Sequence, residues 1–265
     1  MFARTSALAL AALVIVPSAA LAQGFEYTPS KAQYRLTSTT KGAQEAMGQK
    51  QEFESSNSQL LSVSLARQAR DTVALTVVID SIAVVGPMGM VPPGLDKLIG
   101  MSVSAKLSPF GAVYSTESPK DTSIANIATI TEEMGRFLPR IRGKMTAGSS
   151  WADTTTGKVK QNGLDIDRTV ISKFTVVGDT LISGDKGWKI SRESSTSLSG
   201  SGAPQGQPMT MEGTSTGKAT LVVSQKGQFV GSQQEDQANI KITIAASGME
   251  IGVTTTANTR VEKVK

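Results

Sequence analysis

The 265 residues contain no cysteine and no histidine, and aromatic side chains make up only 5%. Each shortage removes a class of chemistry. Without cysteine there are no disulfides, no thiolate metal sites and no thiol nucleophile. Without histidine there is no Ser-His-Asp or Cys-His site and no imidazole zinc site. So few aromatic rings do not build a stacking platform for sugars, and Trp151 and Trp188 read as core residues. Long apolar runs are also scarce. One occurs at the N-terminus, Ala7 to Val16, and it is about half the ~20 residues needed to span a bilayer.

That run carries the marks of an export leader. Arg4 supplies the positive start, Ala7 to Val16 the apolar stretch, and Ala20-Leu21-Ala22 a small-residue cleavage site. We expect residues 1–22 to be removed as a signal helix, leaving a chain that starts at Gln23 and works in the periplasm or outside the cell. After cleavage no segment has the length and apolarity of a membrane-spanning helix. The net charge of +5 is scattered rather than gathered in a basic block, so no nucleic-acid partner is expected.

What is present is mostly strand. Tyr34 to Thr40, Gln49 to Gln68, Thr72 to Val85, Met101 to Leu107 and Ala112 to Glu117 alternate or are rich in β-branched residues. Lys41 to Gly48 reads as a polar connection between the first two. After a central interruption the pattern resumes in Thr154 to Lys160, Ile166 to Val177, Trp188 to Leu198, Met209 to Ser215, Lys218 to Ser224, Gln228 to Gln234, Asn239 to Ala246 and Met249 to Val261. Asn162-Gly163 marks a hairpin. Gly178-Asp179 and 184–187 read as tight turns, and Ser199 to Pro208 as a flexible hairpin loop.

The interruption is helical. Ile124, Ile127, Ile130, Met134, Phe137 and Leu138 recur every three or four residues over 121–138, Asp121, Thr122 or Ser123 can cap the start, and Pro139 cannot continue it. Glu132 and Glu133 fall on the polar side and read as a solvated face. Taken together, the chain is mainly β: a curled antiparallel sheet or open barrel of about ten or more strands with one central α-helix, 121–138, packed on it. The region 23–265 reads as one β-rich domain, or as two half-barrels, 23–118 and 141–265, joined by the helix. Weak echoes between Leu107–Tyr114 and Val223–Val230 fit a duplication and chance equally.

Apparent catalytic motifs dissolve on inspection. Ser38/Lys41, Ser183/Lys186 and Ser215/Lys218 have Ser-x-x-Lys spacing, but the companion motifs of such enzymes are missing. Gly213-Thr-Ser-Thr-Gly217-Lys218 is one residue short of a phosphate loop and lacks the following helix, so it reads as a hairpin. Asp165-x-Asp167 lacks the spaced acidic loop of a calcium site. No enzyme activity, metal or cofactor is expected. The irregular stretch 86–100 is rich in Gly, Pro and Met, and Met adapts to irregular shapes. Met88, Met90, Leu95 and Leu98 on that loop, with Ile127 and Met134 on the helix, are the candidate ligand-binding residues for an apolar cavity between helix and sheet.

Leader, strands, helix, Leu138-Pro139 and then Gly148-Ser149-Ser150-Trp151 opening a second set of strands resemble an uncharacterised family of exported bacterial β-rich proteins. In architecture the chain is similar to the Lol-type periplasmic lipoprotein carriers. That resemblance implies a hollow for acyl chains, with a lipid or lipidated peptide as ligand, and carries over no individual residue. The other reading is a structural or protein-interaction module of the cell envelope with a filled core.

Overall fold

The computed structural model describes residues 24–91, 94–117, 127–142, 145–161, 163–182 and 185–264. The expected leader lies outside these residues, as does the first part of the expected helix. Eleven strands form one antiparallel sheet: β1 (Ser30–Ala46), β2 (Gln49–Ala69), β3 (Thr72–Val85), β4 (Ser102–Leu107), β5 (Val113–Glu117), β6 (Ser150–Gln161), β7 (Leu164–Ile182), β8 (Asp185–Gly202), β9 (Met209–Ser224), β10 (Phe229–Ile244) and β11 (Met249–Lys263). Their spatial order is β5-β4-β3-β2-β1-β11-β10-β9-β8-β7-β6. The sheet is therefore a meander whose N- and C-terminal strands pair at its middle, from Tyr34 opposite Lys263 to Ala46 opposite Ile251. It is not closed into a barrel. Its two edges are β5 and β6, the strands on either side of the helix in sequence.

Several strands are longer than the sequence suggests. β1 runs without a break through Lys41 to Ala46, so the expected polar connection is strand. Gly213 to Lys218 is the interior of β9, not a hairpin, and Gly178 lies at an irregularity in β7 rather than a turn. Ser199 to Pro208 does hold a hairpin, with β8 ending at Gly202 and β9 starting at Met209. At 21 residues, β2 is about 70 Å long at ~3.3 Å per residue, far beyond an ordinary strand.

Helix α1 (Ile127–Gly135) lies on the concave side against β3, β4, β5 and β6. It ends three residues before the predicted Leu138. Arg136 still donates its N–H to the Glu132 and Glu133 carbonyls, and Phe137 closes a tighter turn to Met134. Gly135 permits the close approach: a Cβ there would sit 2.4 Å from Thr116 Cγ2 on β5.

The core occupies one end of the long strands only. It comprises Leu61, Val63 and Leu65 of β2, Val73 to Ile79 of β3, Val103 to Leu107 of β4, Ile190 of β8, Leu221 and Val223 of β9, and Met134, Leu138 and Ile141 of the helical connection. Across this end runs the segment Phe25–Thr28. Tyr27 is fully buried, donates its hydroxyl to the Pro139 carbonyl at 2.8 Å and its N–H to the Pro109 carbonyl at 2.8 Å. Tyr34, Phe137 and Phe229 pack ring against ring, with centroids 5.1–5.9 Å apart, tying β1, the helical connection and β10 together.

Candidate functional site

Strand register shows how the inner face changes with distance from the core. Side chains at every second position share a face, so each row of paired residues can be followed across the sheet. The row Val176-Ile190-Leu221-Ser232-Val261-Leu36 belongs to the core. The next rows are polar or small. One runs Arg192-Ala219-Gln234-Thr259-Ser38, with Phe174 of the core at its β7 end and Ala219 also in the core, and the next Ser172-Ser194-Gly217-Asp236-Ala257-Thr40.

Within this belt Arg192 donates to the Gln234 side-chain carbonyl, and Gln234 donates in turn to Asp236. Burial of the Arg192 guanidinium lowers its pKa, and Asp236 opposes the shift. Ser38 and Thr259 share a hydrogen bond of 3.1 Å.

Beyond the belt the inner face turns apolar again. Leu198, Gly213, Ile240 and Val253 form one row, Ile166, Gly200, Met211, Ile242 and Ile251 the next, and Leu164, Gly202, Met209, Ile244 and Met249 the last. Leu164 and Ile166 are buried yet separate from the main core, and the other large side chains of these rows are half-buried. This patch spans about 13 Å along the strands and about 19 Å across five of them, from ~3.3 Å per residue and ~4.8 Å between strands. A cavity of about 560 Å³ lies there, lined by Leu198, Gly213, Ile240 and Val253 and by their strand neighbours, Glu212 and Lys241 among them. Glycine keeps the floor low: a Cβ on Gly213 or Gly200 would meet Ile240 or Ile166 at 3.1 Å.

The outer face of the same strands is polar. Ser195, Ser197, Ser199 and Ser201 of β8, and Thr210, Glu212, Thr214, Thr216 and Lys218 of β9, all point out and are exposed. A strand facing lipid carries apolar residues there.

A second cavity, of about 800 Å³, lies between the sheet edges beside α1. Arg136, Arg140, Arg168 and Arg192 line it, with Glu132 and Asp153. Glu132 Oε1 lies 3.2 Å from Arg136 Nε and 3.5 Å from an Arg168 guanidinium nitrogen, so Glu132 is drawn into ion pairs rather than solvated as the sequence suggested. Arg140 holds Asp153 at 2.6 Å.

The residues nominated from sequence fall elsewhere. Leu98 and Met134 are buried together in the core, and Leu95 is half-buried against it. Met90 faces solvent, 58% exposed. The side chains of Met88 and Ile127 lie outside the described residues. Trp151 and Trp188 pack against the core, and Trp151 stacks on Phe174 with centroids 5.1 Å apart. The far apolar rows escaped notice because each strand contributes only two or three such residues, separated by polar outward ones. The alternation of Ile240, Ile242 and Ile244 was the available signal. Among the described residues no group of three or more acidic side chains could hold a metal ion.

No protein-family model matches the chain, and no curated protein matches it. Among solved structures it is similar to a mutant of the porin from Rh. blastica, at 7% identity and a TM-score of 0.28, covering 88% of this chain and 100% of that one. It is also similar to Pseudomonas aeruginosa OpdQ, at 6% identity and 0.24 over 89% and 100%, and to Pseudomonas aeruginosa OccK2 in complex with glucuronate, at 8% and 0.22 over 92% and 100%. These scores lie well below those of a shared fold.

Proposed function

We propose that this is a non-enzymatic protein of the bacterial envelope, exported by its leader to the periplasm or beyond, that holds an apolar ligand such as a lipid or lipidated peptide in the hollow of its sheet. One observation carries the reading. Three successive rows of Ile, Leu, Met and Val face the concave side of β7 to β11, separated from the packed core by a polar belt and left half-buried. A patch of this kind on the inner face of a chain with a polar outer face has the features of a ligand surface. The polar belt, with Arg168 on β7 at the start of the first apolar row and Arg192 beyond it, suits a ligand that ends in a polar or anionic group.

In this reading the ligand sits away from the helix. Met134 and Leu138 pack into the core, so the helix serves the sheet's closed end. The reading as a structural or interaction module with a filled core suits that end, and the far rows favour a ligand. Native mass spectrometry of protein purified from its own host tests the proposal. A co-purifying lipid-sized mass, lost on mild delipidation, is expected; protein that is always free of such a mass, and that acquires none when offered lipid, overturns it.

A further inference from the structure

The seam between β5 and β6 is a second place where something is missing, and it is independent of the apolar rows. Every neighbouring pair in the sheet is antiparallel, and eleven strands make ten such pairings. Ten reversals return the direction to its start, so β5 and β6 run parallel to each other. Two strands that run parallel need a long crossover, and residues 118–149 with α1 provide one. Yet among the described residues no backbone hydrogen bond joins β5 to β6. Among the described residues neither edge has a strand partner on its outer side, and such an edge is the surface to which an extended chain adds.

The two edges converge on the same cleft of about 800 Å³, and α1 spans them on its inner side. Gly135 abuts Thr116 of β5, and a Cβ on Gly157 of β6 would lie 3.5 Å from Glu132 Oε1. Val113 to Thr116 line one wall and Asp153 to Thr156 the other, four residues each. Four arginines and two carboxylates line the cleft, and Asp236 and Glu133 act on Arg192 and Arg168 from beside it. One carboxylate, Glu132, already serves two of the arginines. Arg140 Nε and Arg192 Nε are buried donors with no hydrogen-bond acceptor among the described residues. A buried donor left unpaired costs on the order of 1–3 kcal/mol, so an incoming acceptor is favoured there.

We propose that this seam accepts one extended peptide strand, antiparallel to both β5 and β6, whose inward-facing residues are acidic. Such a strand is the smallest addition that gives both edges an antiparallel partner, and it would make a ring of twelve. Because side chains alternate, acidic residues at every second position would face Arg136, Arg140, Arg168 and Arg192, while the intervening ones face solvent. About four or five residues of the peptide would be held, matching the walls at ~3.3 Å per residue. Charge-assisted contacts to arginine would set the choice of sequence, and the backbone ladder would supply the common affinity.

The test uses the full mature chain and fluorescent nine-residue peptides followed by anisotropy. A peptide alternating Glu with Thr or Val should bind, and its Lys-for-Glu counterpart should not. N-methylation at alternate backbone nitrogens should weaken binding at least tenfold, because it removes the donors of the ladder to one edge and leaves the charges. Arg140→Gln should weaken binding by a similar factor, and hydrogen exchange of amides 113–117 and 150–157 should slow in the complex. Failure of the acidic peptide to bind overturns the proposal. Equal binding of the N-methylated peptide overturns it as well, leaving a simple anion site. So does a chain that is already a dimer with these amides protected, since the seam would then be filled by a second copy.

Discussion

Tyr34 stands where the two halves of the chain meet. It is 4% exposed, stacks on Phe229, touches Phe137 edge-on and donates its hydroxyl to the Phe229 carbonyl at 2.7 Å. Tyr34→Phe keeps the rings and leaves that carbonyl unpaired, so a loss of about 1–3 kcal/mol is expected in urea denaturation. Burial also pushes the Tyr34 hydroxyl up to about 12 from its ordinary 10.0. In the unfolded chain it ionises near 10 while the fold keeps it protonated, so unfolding releases a proton in that window. Stability is therefore complete below pH 10 and falls as pH rises from 10 through 12, by up to about 3 kcal/mol at ~1.4 per unit. Tyr27 is raised too, by burial first and by Tyr34 second, and adds to the same alkaline loss. Urea midpoints at about pH 9 and about pH 11 should show the drop, and Tyr34→Phe should make it smaller. At this scale the sequence was legible where a residue's role follows from its type, as for the core placement of Trp151 and Trp188. It was not legible for Tyr34, whose partners Phe137 and Phe229 lie about 100 and 200 residues away.

The element most open to a direct test is α1, through its contact with β5. Replacing Gly135 by Ala gains roughly 1 kcal/mol of helix propensity. It also drives a methyl to 2.4 Å from Thr116 Cγ2, and overpacking of that kind costs about 1–3 kcal/mol. Net destabilisation is expected for Gly135→Ala, and the double variant with Thr116→Ser, which removes the opposing methyl, should recover it. Thermal melts of the four members of the cycle decide the matter; equal and additive effects would place the helix off the sheet.

The strands invite a second test. Each long strand is anchored in the core at one end and has few buried contacts at the other, so its stability should fall along its own length. Amide exchange should be slowest in 61–65 and 73–79, and faster by orders of magnitude in 194–202 and 209–215. Strand type was legible here and strand length was not. Ser, Thr and Gly inside β1, β9 and β10 resemble connections, and Gly213 to Lys218 resembled a hairpin, because the polar belt and the hollow allow inner-face positions that a filled core would not. The helix period was legible over 127–135, and the helix ends at Gly135 rather than Leu138.

On the scale of the molecule, what matters is that one continuous inner face is divided into a packed end, a polar belt and an open apolar end. A mainly β, curled antiparallel sheet with a helix on its concave side was readable from periodicity and turn spacing. The order of strands was not, because pairing of β1 with β11 joins residues more than two hundred positions apart, and no local signal encodes that. The far apolar rows were unreadable for the same reason. Helix periodicity nominates Ile127 and Met134, and an irregular Met-rich composition nominates Met88, Met90, Leu95 and Leu98, whereas only the register gathers Leu198, Ile240 and Val253.

Uptake of a fluorescent fatty acid by the mature protein and by Ile240→Asp, measured side by side with their melting curves, tests this division of the inner face most directly. Ile240 lies on β10 opposite Gly213, outside the core, so the substitution should cost only about 1 kcal/mol of stability. The wild type should take up the probe and Ile240→Asp should lose it while still melting cooperatively. A wild type that takes up none, or a variant that binds as well as its parent, would contradict an apolar ligand surface at the open end of the sheet.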